Sequence, residues 1–146
     1  MVKSKRFEPI ANLARDSERE AAKVLGSALK NLEDQVEQLD TLIRYQADYN
    51  QRLNSSASAN AGMNAQKLNE YIEFLSKLST AIERQEQTIE HARQVLEEKK
   101  MFWFSKRGRS KALDSVLERY IQDEAKQLDK REQRDQDDRN NRTKID

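Results

Sequence analysis

Side chains that could carry out catalysis or bind a metal are few in this sequence. His91 is the one histidine and there is no cysteine, so neither a nucleophile–base pair nor a thiolate metal site can be assembled. Acidic residues are numerous, but they alternate with basic ones, as is typical of a solvated helix face. A glycine-rich phosphate-binding loop is also missing. The sequence therefore predicts neither an enzyme nor a cofactor or metal site.

One segment, residues 99–111, combines aromatic and basic residues at a density that suggests binding. It reads KKMFWFSKRGRSK, with six basic side chains, no acidic one and three consecutive aromatics. Such a surface could bind acidic lipid or single-stranded nucleic acid. Because no nucleic-acid-binding fold signature accompanies it, nucleic acid is not expected as a partner. Gly108 suggests a local kink, and a protein contact at this kink is the remaining interpretation.

The composition limits the kind of fold that could present these residues. The chain has 146 residues, of which 36% are charged and 6% aromatic, with a net charge of +1. Such a chain cannot enclose a broad core, but it can fill a narrow helix–helix seam, which needs about two apolar residues in seven. No apolar run approaches the ~20 residues of a membrane span, and no apolar segment follows the basic amino terminus as in a secretory signal. A cytoplasmic location is the simplest expectation.

Apolar residues at heptad spacing predict a first helix over about 9–54, with Pro9 in its first turn. Its predicted seam has two columns of residues spaced by seven: Ala22, Leu29, Val36 and Ile43, and Leu25, Leu32 and Leu39. Before residue 22 the spacing changes, which predicts a slip of register. Several apolar residues lie outside both predicted seams, and they indicate either a widened seam or an exposed contact patch: Leu42, Tyr45, Tyr49, Ile72 and Phe74.

A small, polar stretch at about 55–62 predicts a turn, followed by a second helix over about 63–135. The seam of this helix also has two columns: Leu68, Leu75, Ile82, Ile89, Leu96 and Trp103, and Tyr71, Leu78, Gln85 and Ala92. If like positions of the two helices face each other, the numbers of paired residues sum to 117 or 118 in every layer. This constancy favours an antiparallel pair over disorder or a parallel dimer.

The predicted fold is therefore all-α, a long antiparallel two-helix coiled-coil hairpin with a longer second helix. It forms one domain over 1–135, followed by a polar tail at 136–146. This pairing would place residues 99–111 beside the basic amino terminus, and it would leave residues after about 110 without a partner. The apolar stripe in that region, from Leu113 to Leu128, would then be a binding face or a dimer face.

Four stretches of the chain resemble the FliJ family of bacterial flagellar export proteins. They are VLGSAL from Val24, LDTLIRYQADY from Leu39, NEYIEFLSKLSTAIERQ from Asn69 and EAKQLDKREQ from Glu124. Each stretch alone would fit a generic coiled coil, whereas their order and spacing over about residues 9–135 are specific. The three consecutive aromatics within 99–111 depart from the family pattern.

The resemblance implies an antiparallel coiled coil similar to the stalk subunit of rotary ATP synthases. It also implies partners: the hexameric ATPase of the flagellar type III export apparatus, the membrane export-gate protein FlhA and the export chaperones. In the family the gate contact lies near the hairpin turn. Carried over by position, it comprises Gln38, Leu42, Tyr45, Tyr49, Phe74, Leu78, Ala81 and Gln85, where Gln85 stands in place of a histidine found in some members.

The opposite end of the hairpin would then enter the ATPase ring or meet the membrane. The residues expected to act there are Leu13, Trp103, Leu113, Leu117 and Tyr120. The expected location is cytoplasmic, peripheral to the inner membrane at the flagellar base. Two alternatives stay open at the level of sequence: a generic scaffolding coiled coil that dimerises through the stripe after Leu113, and a membrane-surface adaptor that uses residues 99–111.

Overall fold

The structure, a computed structural model, describes residues 2–58 and 64–145 and contains two α-helices there. Helix α1 spans Lys3–Ser58 and helix α2 spans Ala65–Ile145. No strand occurs among the described residues. The prediction of an all-α fold with a longer second helix is confirmed. The predicted turn at 55–62 falls partly on α1, which continues to Ser58, and partly outside the described residues.

Helix α2 begins at a capped amino terminus. The side-chain Oδ1 of Asn64 accepts a hydrogen bond from the backbone N–H of Lys67 at 2.8 Å, and its carbonyl accepts one from Leu68 at 3.1 Å. An asparagine in this position satisfies N–H groups that the first helical turn leaves without partners. The basic side chains of Arg142 and Lys144 lie in the last turn of α2, where the helix dipole favours positive charge.

Helix α1 starts about six residues earlier than the sequence predicted, so Pro9 lies inside it rather than in its first turn. A proline has no backbone N–H, and the carbonyl of Lys5 therefore lacks its usual intrahelical partner. The early start has a tertiary cause. Ser4 and Ala11 are buried and Phe7 is partly buried, so this segment packs along α2.

The residues group into two compact units, each containing part of both helices. Unit 1 comprises Met1–Ala22 and Phe102–Asp146, and unit 2 comprises Lys23–Met101. In unit 2, Gln85 Nε2 donates to the backbone carbonyl and to Oε1 of Gln35, both at 2.8 Å, and the ring of Tyr49 lies 5.9 Å from that of Tyr71. Both pairs of residue numbers sum to 120, so the helices of unit 2 are antiparallel.

The seam of α1 in unit 2 differs from the prediction by one column. Leu29, Val36 and Ile43 were expected inside, but they are 46%, 45% and 45% exposed. The less exposed positions of α1 instead recur at alternating spacings of three and four: Leu25, Ala28, Leu32, Gln35, Leu39, Leu42, Gln46, Tyr49, Leu53 and Ser56. The column of Leu25, Leu32 and Leu39 is shared by both arrangements. Tyr49 and Leu42 therefore belong to the seam itself, whereas the predicted register placed them outside its two columns, as part of either a widened seam or a contact patch.

The seam of α2 was predicted correctly within unit 2. Two columns are partly or fully buried: Leu75, Ile82, Ile89 and Leu96, and Tyr71, Leu78, Gln85 and Ala92. Leu68, near the start of α2, is the exception at 39% exposure. The predicted pairing of Leu32 with Gln85 is wrong, since Gln85 bonds to Gln35.

In unit 1, residues of α2 between 110 and 124 have a partner, which contradicts the predicted unpaired stripe for that part of the helix, while Leu128 is exposed. The ring of Phe7 meets that of Tyr120 edge-on at 5.5 Å, and Ser4 donates to the carboxylate of Glu124 from its backbone N–H at 3.0 Å and from its hydroxyl at 2.7 Å. Leu117 is buried. The partner is the amino-terminal part of α1, of which the sequence prediction had left residues 3–8 outside the helix.

Two further expectations about the amino-terminal region are wrong. Buried or partly buried positions of α1 recur at alternating spacings of three and four before residue 22, so there is no slip of register: Ser4, Phe7, Ala11, Ala14, Glu18 and Ala21. The Lys3 ammonium lies 5.8 Å from the ring centroid of Tyr120. The basic amino terminus therefore packs beside residues 120–124 rather than beside residues 99–111.

Candidate functional site: a partner-binding surface

The residues that the family resemblance assigns to the gate contact lie in unit 2, beside or within its seam. Two antiparallel helices are related by a twofold axis across the pair, so equivalent heptad positions lie on the same side of the seam. Gln38 and Tyr45 on α1 and Phe74 and Ala81 on α2 occupy equivalent positions. We call the side of the seam that carries these four residues the tyrosine side. The opposite side, which carries Leu29, Val36 and Ile43 on α1, is called the aliphatic side.

An aromatic cluster joins the two helices on the tyrosine side. The ring of Tyr49 lies 4.4 Å from that of Phe74 and 5.9 Å from that of Tyr71, and the guanidinium of Arg52 lies 5.5 Å from the Tyr49 centroid. Tyr45, one helical turn before Tyr49, is 53% exposed. The cluster thus has two partly buried members in the seam, Tyr49 and Tyr71, and one that faces solvent, Phe74. Tyr45 is a further solvent-facing aromatic residue on this side.

Leu42 lies between two shallow cavities on the tyrosine side. One, of about 540 Å³, is lined by Leu42, Ser76, Lys77, Thr80, Ala81, Arg84, Gln85 and Thr88. The other, of about 510 Å³, is lined by Asp34, Glu37, Gln38, Thr41 and Leu42. Both combine apolar and hydrogen-bonding groups, which suits the side chains of a protein partner.

Leu78 and Gln85, which were expected to contact the gate, also have structural roles. Leu78 is buried in the seam, and the amide of Gln85 is engaged with Gln35. A polar pair inside a coiled-coil seam sets the register at a cost in stability. The structure therefore adds Gln35, which the sequence analysis missed. Its heptad position, three residues after Leu32, was the sequence feature that could have identified Gln35 as a seam residue.

The residues expected at the ATPase or membrane end all lie in unit 1. Leu117 is buried, and Leu113, Tyr120 and Trp103 are partly buried, so these four mainly hold the helices together. Leu13 differs, with 70% of its surface exposed. Together with other residues of unit 1 it lines a cavity of about 230 Å³, whose lining comprises Ile10, Leu13, Ala14, Ser17, Lys106 and Arg109.

The basic and aromatic residues of 99–111 lie within α2, which continues through Gly108 without a break. Trp103 turns partly into the seam, as its heptad position predicted, while Phe102 and Phe104 are 52% and 57% exposed. The Lys106 ammonium lies 5.3 Å from the Phe102 centroid, and the Arg107 guanidinium lies 5.3 Å from the Trp103 centroid. These cation–π contacts keep positive charge close to exposed aromatic surface.

The model of the family described as the flagellar FliJ protein matches the chain over residues 3–145. The chain belongs to the FliJ family. It is similar to the flagellar FliJ protein of Escherichia coli (strain K12), with 30% identity over 110 residues that cover 75% of this chain and 74% of the relative. No solved structure gives a significant match. The resemblance found in the sequence is confirmed, and membership of the FliJ family supports a role related to flagellar protein export.

A metal site and a membrane-spanning segment are both absent from the part of this FliJ-family chain that the structure describes. Within residues 2–58 and 64–145, no group of three or more histidine, aspartate or glutamate side chains is placed to hold a metal ion. Neither α1 nor α2 contains, over those residues, a stretch long and apolar enough to span a bilayer. The tyrosine side of unit 2 and the cavity beside Leu13 in unit 1 are two surfaces with identifiable binding chemistry.

In unit 1, two carboxylates of α2 accept hydrogen bonds from α1. The two hydrogen bonds from Ser4 hold the pKa of Glu124 below its ordinary value, because they stabilise the ionised carboxylate. The Arg15 guanidinium donates to Asp114 Oδ1 at 2.6 Å, and this hydrogen bond raises the pKa of Arg15. Ser4 and Arg15 thereby anchor the first turns of α1 to α2 in this FliJ-family protein.

The Glu124 contact predicts a pH-dependent stability. A carboxylate whose pKa is lower in the folded than in the unfolded state stabilises the fold above the unfolded-state pKa, and that stabilisation is lost as the pH falls through the folded-state pKa. We expect the urea midpoint of Glu124→Gln to lie below that of the wild type at pH 7 and to approach the wild-type value near pH 3. Glu132→Gln, in the exposed part of α2, is the control. An equal deficit for Glu124→Gln at both pH values would contradict the prediction.

Proposed function

We propose that this protein is a non-enzymatic adaptor and chaperone of the flagellar type III export apparatus. It binds the export-gate protein FlhA through the tyrosine side of unit 2 and the hexameric export ATPase through unit 1, and so couples ATP hydrolysis by its partner to protein export. It cycles export chaperones and works on the cytoplasmic side of the inner membrane at the flagellar base. The proposal rests on family membership and on the surface chemistry of the two units.

The observation that carries the gate contact is the exposed aromatic pair on the tyrosine side. Tyr45 is 53% and Phe74 39% exposed, while Tyr49 supports Phe74 from the seam at 4.4 Å. Large aromatic side chains on a rigid base are the usual anchors of protein interfaces, because they bury much area at little cost in conformational entropy. The shallow cavities on either side of Leu42 offer space for side chains of the partner.

The gate contact is tested by measuring the affinity of the purified protein for a soluble portion of FlhA. We expect Tyr45→Ala to weaken binding about tenfold or more, since loss of an interface anchor costs at least roughly 1.4 kcal/mol. Ile43→Ala is the matched control, because Ile43 is similarly exposed on the aliphatic side. Equal affinities for wild type and Tyr45→Ala would contradict the proposal, as would equal losses for both variants.

The ATPase contact is supported by the exposed surface of unit 1. Leu13 is the most exposed of the residues expected at that end, and the cavity that it lines also contains the cationic side chains of Lys106 and Arg109. An apolar side chain beside two cations suits a partner surface with an apolar recess and acidic rim. We therefore assign the ATPase contact to this cavity rather than to Leu113, Leu117 and Tyr120, whose side chains are covered by α1.

A second candidate function is contact with a membrane surface through residues 99–111. It is favoured by the exposure of Phe102 and Phe104 beside Lys106 and Arg107. Aromatic rings that insert at the level of the lipid headgroups, together with cations that attract acidic lipid, would hold the protein peripherally at a bilayer. Such a contact is compatible with adaptor function at the membrane export gate.

A further inference from the structure

The aliphatic side of unit 2 carries an apolar stripe that the proposed gate contact does not use. Leu29, Val36 and Ile43 recur every seven residues along α1, and each is close to half exposed. Their fourteen-residue span corresponds to a stripe of about 21 Å along the helix. Ile72 of α2, 53% exposed, occupies the equivalent heptad position and adds apolar surface on the same side. Isolated exposed aliphatics are ordinary, but a continuous row of them marks a contact surface.

Acidic side chains border the stripe on α1. Glu33 follows Leu29 by four residues and precedes Val36 by three, and Asp40 has the same relation to Val36 and Ile43. Residues at these separations are neighbours on a helix surface, so both carboxylates lie along the edge of the stripe. Both are exposed.

The facing edge of α2 is acidic as well. Glu86 directly follows Gln85, and Val36 directly follows Gln35. Because Gln35 and Gln85 are hydrogen-bonded, Glu86 and Val36 lie at the same level along the helix pair and on the same side of the seam. Glu83 and Glu90 lie three residues before and four residues after Glu86, and all three are exposed.

Only part of this negative charge is offset. Asp40 pairs with Arg44 at 2.8 Å and Glu90 with Arg93 at 3.9 Å, both in solvent. Five carboxylates thus stand beside two guanidinium groups along the stripe, and the side as a whole is negative.

We infer that the aliphatic side binds an amphipathic helix of a partner protein, with apolar residues at heptad spacing and lysine or arginine on both flanks. The heptad interval selects a helix as occupant, because only a helix packed at a small crossing angle keeps side chains in register with a seven-residue repeat. The negative charge of the borders favours lysine or arginine on the flanks of the bound helix. With the third helix in place, Leu29, Val36 and Ile43 are buried and unit 2 forms a three-helix coiled coil.

A second copy of the chain is a poorer occupant for the same stripe. A twofold dimer through this side would bring each acidic border against the acidic border of the other copy, and like charges at an interface oppose association. A basic partner helix meets the same apolar row without this repulsion. The surface also lies on the opposite side of the seam from Tyr45, so a helix bound here leaves the proposed FlhA contact accessible.

The test uses a fluorescent synthetic peptide of about four heptads, with leucine at the seam positions and lysine at the flanking positions. Fluorescence anisotropy should show binding to the full-length protein that weakens as salt is raised. The double variant Val36→Ser, Ile43→Ser should lose about tenfold or more in affinity, since both side chains would be buried by the peptide. Tyr45→Ser, on the tyrosine side, should bind like wild type, and circular dichroism should show unchanged helicity for all variants.

A charge exchange tests the same proposal with exposed residues whose replacement leaves the seam intact. Glu33→Lys combined with Glu86→Lys should reverse the preference, so that a peptide with glutamate on its flanks binds better than the lysine peptide. The proposal is overturned if wild type binds neither peptide, or if it binds both equally. It is also overturned if light scattering shows a dimer that Val36→Ser, Ile43→Ser abolishes, because the stripe would then belong to a second copy.

Discussion

Replacing Leu117 with alanine should lower the free energy of unfolding by about 2–4 kcal/mol, the usual cost of truncating a buried leucine. Leu117 is 9% exposed in the seam of unit 1, between the layers of Phe7–Tyr120 and Arg15–Asp114. Truncation leaves a space that the neighbouring helix cannot fill without moving. Urea denaturation followed by circular dichroism at 222 nm measures the change.

Leu128→Ala is the matched control for Leu117→Ala. It makes the same chemical change on the same helix, but Leu128 is 56% exposed, so we expect a change within about 0.5 kcal/mol of zero. If the two variants were equally stable, the carboxyl-terminal half of α2 would not be packed against the first turns of α1. The stripe after Leu113 would then be available as a binding face, as the sequence alone suggested.

Tyr49→Ala should also destabilise the protein strongly, by about 2–3 kcal/mol, because it removes an aromatic ring from the seam of unit 2. The ring contacts both Phe74 and Tyr71 across the helix pair and lies under the Arg52 guanidinium. Tyr49→Phe should retain most of this stability, because it keeps the ring and removes the hydroxyl alone. The same denaturation measurement applies.

Tyr45→Ala, four residues earlier on the same helix, separates the structural from the binding role of these tyrosines. Tyr45 is 53% exposed, so its truncation should change the stability by less than about 0.5 kcal/mol. Equal destabilisation by Tyr45→Ala and Tyr49→Ala would show that the seam does not run through Tyr49. With the expected result, loss of FlhA binding in Tyr45→Ala reports on the interface, whereas the same loss in Tyr49→Ala reports on folding as well.

The two sides of unit 2 give the proposed adaptor two independent contact surfaces. The tyrosine side offers aromatic anchors and shallow cavities, while the aliphatic side offers a heptad row with acidic borders. Because equivalent heptad positions of an antiparallel pair lie on one side, variants of Tyr45 and variants of Val36 should affect separate partners. Under the proposed function, these two surfaces allow one protein to contact two components of the export apparatus.

The exposure of two residues of the candidate site was predictable from residue types. Tyr45 and Phe74 stood out because they are aromatic and do not fit the seam of either helix, and the structure leaves both exposed. Leu42 and Tyr49 stood out because they also lie outside the predicted seam, yet the structure places them in it. Their assignment failed because the row of Leu29, Val36 and Ile43 is at least as apolar as the row containing Leu42 and Tyr49. Periodicity alone cannot choose between two such rows.

The sequence by itself determined that the chain is helical, that α2 carries a heptad seam through Leu75, Ile82 and Ile89, and that the family is FliJ. These properties depend on spacing within one helix or on residue identities. Only the tertiary structure decided which face of α1 is buried and which residues pair. The seam pairs Gln35–Gln85 and Tyr49–Tyr71 sum to 120 in unit 2, and the pairs of unit 1 sum to 127–129, whereas sums of 117 or 118 had been predicted. The buried face of α1 and the stagger of paired residues depend on the packing energy between the helices, through contacts such as Gln35–Gln85 and Phe7–Tyr120. The periodicity of a single helix carries no information about such contacts.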